Sequence, residues 1–598
     1  MKTLKLFNAV ISKKSHEQSF VSGDGYIIEP KALWAKDRII EYYRQEALNG
    51  NDLNKTFHKS WQKIKESTRV DLAIEQILHY LSTYGTDFQA EIYIPDEVLE
   101  VPETKIVFKV IKAYTKDVIR DKCLSLLKSG VALKEDTVDD LLSILVDGTG
   151  YQFTGKEGIR NKEATVKIAD LYGVIPCDTM GFLRYIMYRA TGSTLLIKNT
   201  EAIEAIKACS YNPSAQFGKF GIERLAENFN RFKPLFLAFK NKCPKTINRI
   251  SRLSKTCHKP MVQNALNEAT QRELTNKDRH WLDNATPYSL FKALSACWAR
   301  VKGQSAFVYR IRNGKSWVAE NISKSVNLEN YKFILDYLKE RYALKGRKIF
   351  IPEGVEYALP TTEKMYVGNI PTGTKFCGEK LAVGIYWKDE WGARDLDLSG
   401  LGLSGKIGWN ASYGQGGDNR GIMYSGDITS APRGAVEYLY ADKKLSQPTL
   451  IKMNVFSGDD TAGYKIIVGK GDEIDKKYMM NPNNLFMEAR CQAVQRQMIL
   501  GLWIPEERGQ SFVLLNFGAG HTRVSASSEI GTIARQALLQ QWRSPVSLNS
   551  LIQALGAEIV EGKECADIDL SLNNLEKDSF TKIFSLFSED KGVKKCSM

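Results

Sequence analysis

The chain has 598 residues, 43% of them hydrophobic and 25% charged, with a formal net charge of +14. That length holds roughly three or four domains of about 150 residues each, with the composition of ordinary globular protein. No apolar run approaches the roughly 18 residues of a membrane-spanning helix, so no membrane partner is expected. The opening MKTLKLFNAVISKKSH carries a short apolar patch and no small-residue cleavage site; it reads as a first strand and not as a secretory signal. The 10 cysteines are scattered with no Cys-x-x-Cys pair, which predicts a cytoplasmic chain without structural disulfides or zinc.

Charge is unevenly placed. Residues 1–150 carry a balance of −2, residues 151–350 of +19 and residues 351–598 of −3. All the basic excess therefore lies in the middle third.

In chain order, the first 30 residues predict a strand pair turning at Ser22-Gly23-Asp24-Gly25. From Pro30 the apolar spacing becomes helical and stops near Asn49-Gly50, and further amphipathic helices are predicted over 53–65 and 70–84. Strand-like EIYIP and KIVFKVIKAY follow between about 90 and 114, and helices dominate from about 115 to 300. FVYRIR, Asn313-Gly314 and KSWVAE predict a hairpin. One more helix, over about 328–343, precedes a glycine-rich, strand-rich region. The tail adds the strand FVLLNF, the helix IGTIARQALLQQW, a helix from Ser547 to before Gly556, and a last helix near 574–587.

Some motifs suggest chemistry that their context denies. Gly150 to Lys156 has P-loop spacing, but Glu157 stands where the magnesium-binding Ser or Thr belongs, and the preceding text is helical, so it reads as a loop. The six histidines form no spaced metal set, and His521 after Gly518-Ala-Gly520 reads as structural. Asp567 and Asp569 read as complements to the last helix's N-terminus.

The basic stretch is more informative. From Asn228 to Asn267 there is no acidic residue, while Arg231, Lys233, Lys240, Lys242, Lys245, Arg249, Arg252, Lys255 and Lys259 supply nine positive charges. Such a sign-biased surface suits RNA or another polyanion. Phe229, Phe232, Phe236 and Phe239 are interleaved; rings there can stack on unpaired bases, but 232, 236 and 239 share a helical face and read as core.

Between Asp395 and Glu437 lies the densest signal. In RDLDLSGL, alternation puts Asp395 and Asp397 on one face of a strand, and Asp427 follows about thirty residues later in Ser-Gly-Asp. Carboxylates on one face repel unless a cation neutralises them, and calcium takes clustered carboxylate oxygens. The alternative is a strand end with solvated aspartates.

Val383 to about Lys470 resembles the tellurium-resistance TerD family of stress proteins, which are calcium-binding β-sandwiches. The resemblance lies in Gly384-Ile385-Tyr386-Trp387, Asp395-Leu396-Asp397-Leu398-Ser399 and Tyr424-Ser425-Gly426-Asp427-Ile428-Thr429, with a later strand from Tyr464 to Val468. It implies a metal set of Asp395, Asp397 and Asp427 with Ca2+ as cofactor; Glu437 joins as the single acid of SAPRGAVEYLY, where the family has a Gly/Asp/Glu-rich run. Asp397 to Leu401 also resembles the Asp-x-Ser-x-Ser metal motif of a von Willebrand A domain, broken by Leu401. A basic helical domain joined to such a domain would resemble the Ro family of ring-shaped RNA-binding proteins.

The expectation is a multidomain α+β protein with a mainly helical, basic N-terminal half and a β-sandwich-like C-terminal half bearing terminal helices. Its parts are a mixed domain over 1–150, a basic helical domain over 151–305, a hairpin and helix connector over 306–375, a TerD-like sandwich over 376–478 and an α/β extension over 479–598. The main division falls near 305–345, with a protease-sensitive join in KGRKIF or PEGVEYALP. The expected function is non-catalytic binding or scaffolding in a stress-response or phage-related system, with protein partners. RNA or single-stranded nucleic-acid binding by the basic middle is the alternative, and a metal-activated phosphoester chemistry at the aspartates comes third.

Overall fold

The computed structural model describes residues 1–56, 109–259, 272–302, 306–310, 316–320, 328–402, 406–408, 422–441, 447–470, 480–518 and 545–585, less a few single positions and with a few isolated residues beyond them. EIYIP, Asn313-Gly314, IGTIARQALLQQW, His521 and most of the helices expected over 53–65 and 70–84 fall outside that set.

The chain opens with a short helix, α1 (Lys2–Phe7), where a strand was expected. Leu4, Leu6 and Phe7 are buried, and Asn8, at φ 45°, turns the chain into β1 (Ala9–Ile11). Asn reaches this left-handed conformation more readily than most side chains. The expected strand pair forms as β2 (Phe20–Val21) and β3 (Tyr26–Ile28), closed by the Ser22 hydroxyl accepting the Tyr26 N–H at 3.0 Å. After α2 (Lys36–Glu46), β4 (Lys109–Tyr114) enters between β1 and β3, parallel to both. Helices α3 (Lys116–Ser129) and α4 (Glu135–Ser143) follow.

The basic region folds as a helical lobe: α5 (Lys162–Tyr172), α6 (Thr179–Thr191), α7 (Thr200–Ala208), α8 (Ser214–Phe220), α9 (Ile222–Phe229), α10 (Lys233–Ala238) and α11 (Pro244–Cys257). Asn161, Asp178 and Asn199 cap their helices by accepting the N–H of Ala164, Gly181 and Ala202, which satisfies donors a helix start leaves open. The lobe has its own apolar core, including Phe182, Phe217, Phe229, Phe232, Phe236 and Phe239.

Next come α12 (Arg279–Asn284), α13 (Pro287–Val301), the expected hairpin β5 (Ala306–Arg310) and β6 (Ser316–Glu320), α14 (Leu328–Arg341) and β7 (Lys348–Phe350).

The sandwich strands are β8 (Val355–Glu356), the small pair β9 (Tyr366–Val367) and β10 (Ile370–Pro371), β11 (Lys375–Gly378), β12 (Leu381–Trp387), β13 (Ala393–Leu401), β14 (Lys406–Gly408), β15 (Ile422–Tyr424), β16 (Ala435–Ala441), β17 (Thr449–Gly458), β18 (Gly463–Lys470), β19 (Leu485–Gln492), β20 (Gln497–Glu506) and β21 (Gly509–Gly518). One antiparallel sheet has the order β14-β13-β17-β20-β21-β11-β8 and the other β15-β16-β12-β18-β19. Helix α15 (Leu548–Ala554), strands β22 (Glu558–Val560) and β23 (Ile568–Asp569) and helix α16 (Ser579–Ser585) close the described chain, with both strands parallel to β7.

The fold is α+β, with helices concentrated in the N-terminal half and antiparallel sheets in the C-terminal half. The sandwich is wider than the segment 376–478, because β8 and β19 to β21 are integral to its sheets. Strand β4 joins no sandwich sheet, yet one apolar core runs from α3, α13 and α14 into the space between the sheets. The expected join is exposed around Lys345 to Lys348 and at Glu353, whereas Tyr357, Ala358 and Leu359 are buried. The second half of PEGVEYALP is therefore packed into the fold.

Candidate metal centre

Strands β14 and β15 are edge strands of the two sheets and lie beside one another. The acidic cluster forms at this seam. On β13, Leu396 and Leu398 enter the inter-sheet core, which leaves Asp395 and Asp397 together on the opposite face. The pairing of β13 with β17 slips on both sides of Asp395, so that Asp395 faces Ser457 while Asp397 faces Asn454. Bulges of this kind re-aim side chains.

Asp427 arrives from the other sheet. Ser425 accepts the Tyr438 N–H on its hydroxyl at 2.8 Å and donates its own N–H to the Tyr438 carbonyl at 3.0 Å. That grip extends the β15–β16 pairing by one residue. Gly426 then turns the chain at φ 104°, a conformation costly for any other residue, and delivers Asp427 to the seam. The Ser-Gly-Asp motif is thus a strand extension, a turn and a ligand.

One carboxylate oxygen from each of Asp395, Asp397 and Asp427 lies within 4.8 Å of the others, and the residues are 3%, 7% and 4% exposed. Asn454 Nδ2 donates to Asp397 at 3.1 Å, but Oδ1 of Asp395 and Oδ1 of Asp427 are buried with no hydrogen-bond partner. Burial first, then the charges of Asp397 and Asp427, pushes Asp395 up to about 8. Burial and Asp397 push Asp427 up to about 7, against the pull of Lys406. Burial also raises Asp397, opposed by Asn454 and Lys406. The Lys406 ammonium is itself pushed down by burial, against the two carboxylates near it.

Glu437 has a different role from the one the motif implied. It points from β16 into the inter-sheet core, is 0% exposed, and accepts the N–H of Leu398 at 2.8 Å and of Ile428 at 3.0 Å. Those residues directly follow Asp397 and Asp427. Glu437 therefore braces the two ligand-bearing backbones together, and its oxygens stand outside the three-carboxylate group. Burial holds its carboxyl well above the ordinary range.

The donor set is all oxygen, the kind that a hard divalent cation takes. The von Willebrand reading fails, because β13 pairs antiparallel on both sides and such metal motifs belong to the carboxyl ends of parallel strands.

Elsewhere, the Gly150–Glu157 loop closes on itself, with the Glu157 carboxylate accepting from the Thr154 hydroxyl at 2.9 Å. Asp567 and Asp569 do not complement the last helix: they accept the backbone N–H of Lys348 at 2.9 Å and of Ser571 at 2.7 Å. Asp578, which does precede α16, joins Glu576 and Lys122 in a buried ionic cluster. In the helical lobe, Phe229, Phe232, Phe236 and Phe239 are all buried. Of the nine cations, Lys242 is half-buried and the others are exposed. Sequence reasoning missed Asn454 and Lys406, since only strand register and the meeting of two sheet edges bring them to the aspartates.

No protein-family model matches this chain, and no curated protein matches it. The TerD resemblance therefore rests on the short motifs alone.

Proposed function

We propose that the chain is a calcium-binding, non-catalytic binding or scaffold protein of the TerD-like kind, acting in the stress-response or phage-related setting that the resemblance implies. One observation carries the reading. Three buried carboxylates from two sheets converge within 4.8 Å, and two of their oxygens have no partner. A buried unpaired carboxylate oxygen is expensive, and a hard cation relieves three at once. Asp395, Asp397 and Asp427 would hold the ion, Asn454 orients Asp397, and Glu437 fixes the backbones that carry Asp397 and Asp427. The burial of the cluster favours a structural ion over one that must meet a substrate.

Calorimetric titration of chelator-treated protein with Ca2+ and Mg2+ tests this. One calcium per chain should bind, more tightly than magnesium, and calcium should raise Tm. Absence of calcium heat together with an unchanged Tm at 1 mM Ca2+, about a hundredfold above a 10 μM Kd, would refute it.

A further inference from the structure

We propose that the helical lobe docks the phosphodiester backbone of a double-stranded nucleic acid on the face formed by α10, α11 and the turn between them. Residues 162–259 carry 17 Lys and Arg against 7 Asp and Glu, and the nine cations from Arg231 to Lys259 have no acidic residue among them in sequence. Three are engaged: Lys242 with the Lys207 carbonyl at 2.9 Å, Lys259 with Glu227 at 2.8 Å and Arg249 with Glu223 at 3.8 Å. The other six, Arg231, Lys233, Lys240, Lys245, Arg252 and Lys255, are exposed and pair with no carboxylate among the described residues. An ordinary solvated face intersperses both signs. Here the acids that meet the nine cations among the described residues are Glu223 and Glu227, both on α9.

The fold arranges these charges. Helix α11 buries Ile247, Ile250 and Ser254, so Lys245, Arg249 and Arg252, spaced i, i+4, i+7, line the opposite side. Along the axis they span about 10 Å. Lys233 opens α10, and Lys240 lies in the connecting turn. Duplex nucleic acid presents one negative charge per about 1.7 Å of axis, a density that such a row complements.

Burial of the rings selects the duplex. Proteins that hold single strands without sequence preference stack bases on aromatic platforms. Here Phe229, Phe232, Phe236 and Phe239 are core, and the one exposed ring from 228 to 259 is the imidazole of His258, just past the end of α11. What remains is a cationic surface without a platform of phenylalanine rings, suited to backbone contacts that carry no sequence information.

Fluorescence anisotropy of the full chain with scrambled 20-base-pair DNA and RNA duplexes, single-stranded oligonucleotides and polyglutamate is the test. Both duplexes should bind regardless of sequence, with log Kobs falling against log salt at a slope of about −5 for six contacts, or roughly a thousandfold between 50 and 200 mM. Lys233→Ala/Lys240→Ala/Lys245→Ala/Arg252→Ala should flatten the slope to about −2 with Tm unchanged. If that variant does not fold, Arg252→Ala/Lys255→Ala should flatten it by about 2. Lys345→Ala/Lys348→Ala, at the exposed turn and first residue of β7, should leave it unaltered. No duplex binding at 50 mM salt, a slope untouched by the α10–α11 substitutions, tenfold tighter binding of single strands, or equal binding of polyglutamate would each overturn the proposal, the last in favour of an acidic protein partner.

Discussion

Calcium binding at the seam should expel protons, and the structure sets how many. With Asp395 pushed up to about 8 and Asp427 to about 7, the metal-free cluster at pH 7 holds about 0.9 and about 0.5 of a proton on the two groups. They titrate as a coupled set, so only the total is meaningful: about one to one and a half protons leave per calcium bound. Apparent calcium affinity should then rise about ten- to thirtyfold per pH unit around pH 7, and level off above about pH 9. Calorimetry in PIPES and in Tris, whose ionisation heats differ, reads the proton count directly. The same shifts determine how stability varies without metal. Both carboxyls bind protons more tightly folded than unfolded, so their contribution is greatest below about pH 4 and is lost as pH rises towards about 8. Calcium should abolish that loss. Fewer than about 0.3 protons released at pH 7 would show that the aspartates are already ionised and that the crowding argument is wrong.

Asp395→Asn should raise the metal-free Tm at pH 8 while removing the calcium response, because it deletes a crowded buried charge together with a ligand; a drop in Tm at that pH would contradict the repulsion. Glu437→Gln offers one acceptor where two backbone N–H groups need one each, and should cost about 2 kcal/mol in urea unfolding and weaken calcium binding, although Glu437 stands outside the three-carboxylate group. Gly426→Ala, at φ 104°, should cost at least about 1–2 kcal/mol and lower calcium affinity, both read in a calcium-dependent melt. Lys122→Met leaves Glu576 and Asp578 without their most buried partner and should destabilise by about 3 kcal/mol with calcium affinity unchanged, which separates general stability from the site.

Local signals carried much of the architecture. The change from helical to alternating apolar spacing, the pairing of β5 with β6, the helix opening at Ser547 and the place of Asp395, Asp397 and Asp427 are all legible from neighbouring residues, because propensity, capping and strand alternation act over a few positions. The core character of the lobe's phenylalanines follows from helical spacing in the same way. What the sequence could not decide depends on partners distant along the chain. MKTLKLF becomes a helix, and β19 to β21 join sheets begun more than a hundred residues earlier, because long-range packing overrides weak local preference. The tertiary structure likewise moves Glu437 from ligand to brace: its strand position shows only which face it takes, and the two N–H groups it holds come from β13 and from the turn after β15. Asn454 becomes a partner of Asp397 solely through register across β13 and β17. The ligands were written in short motifs, but the desolvation that makes them a site exists only once two sheet edges close over them.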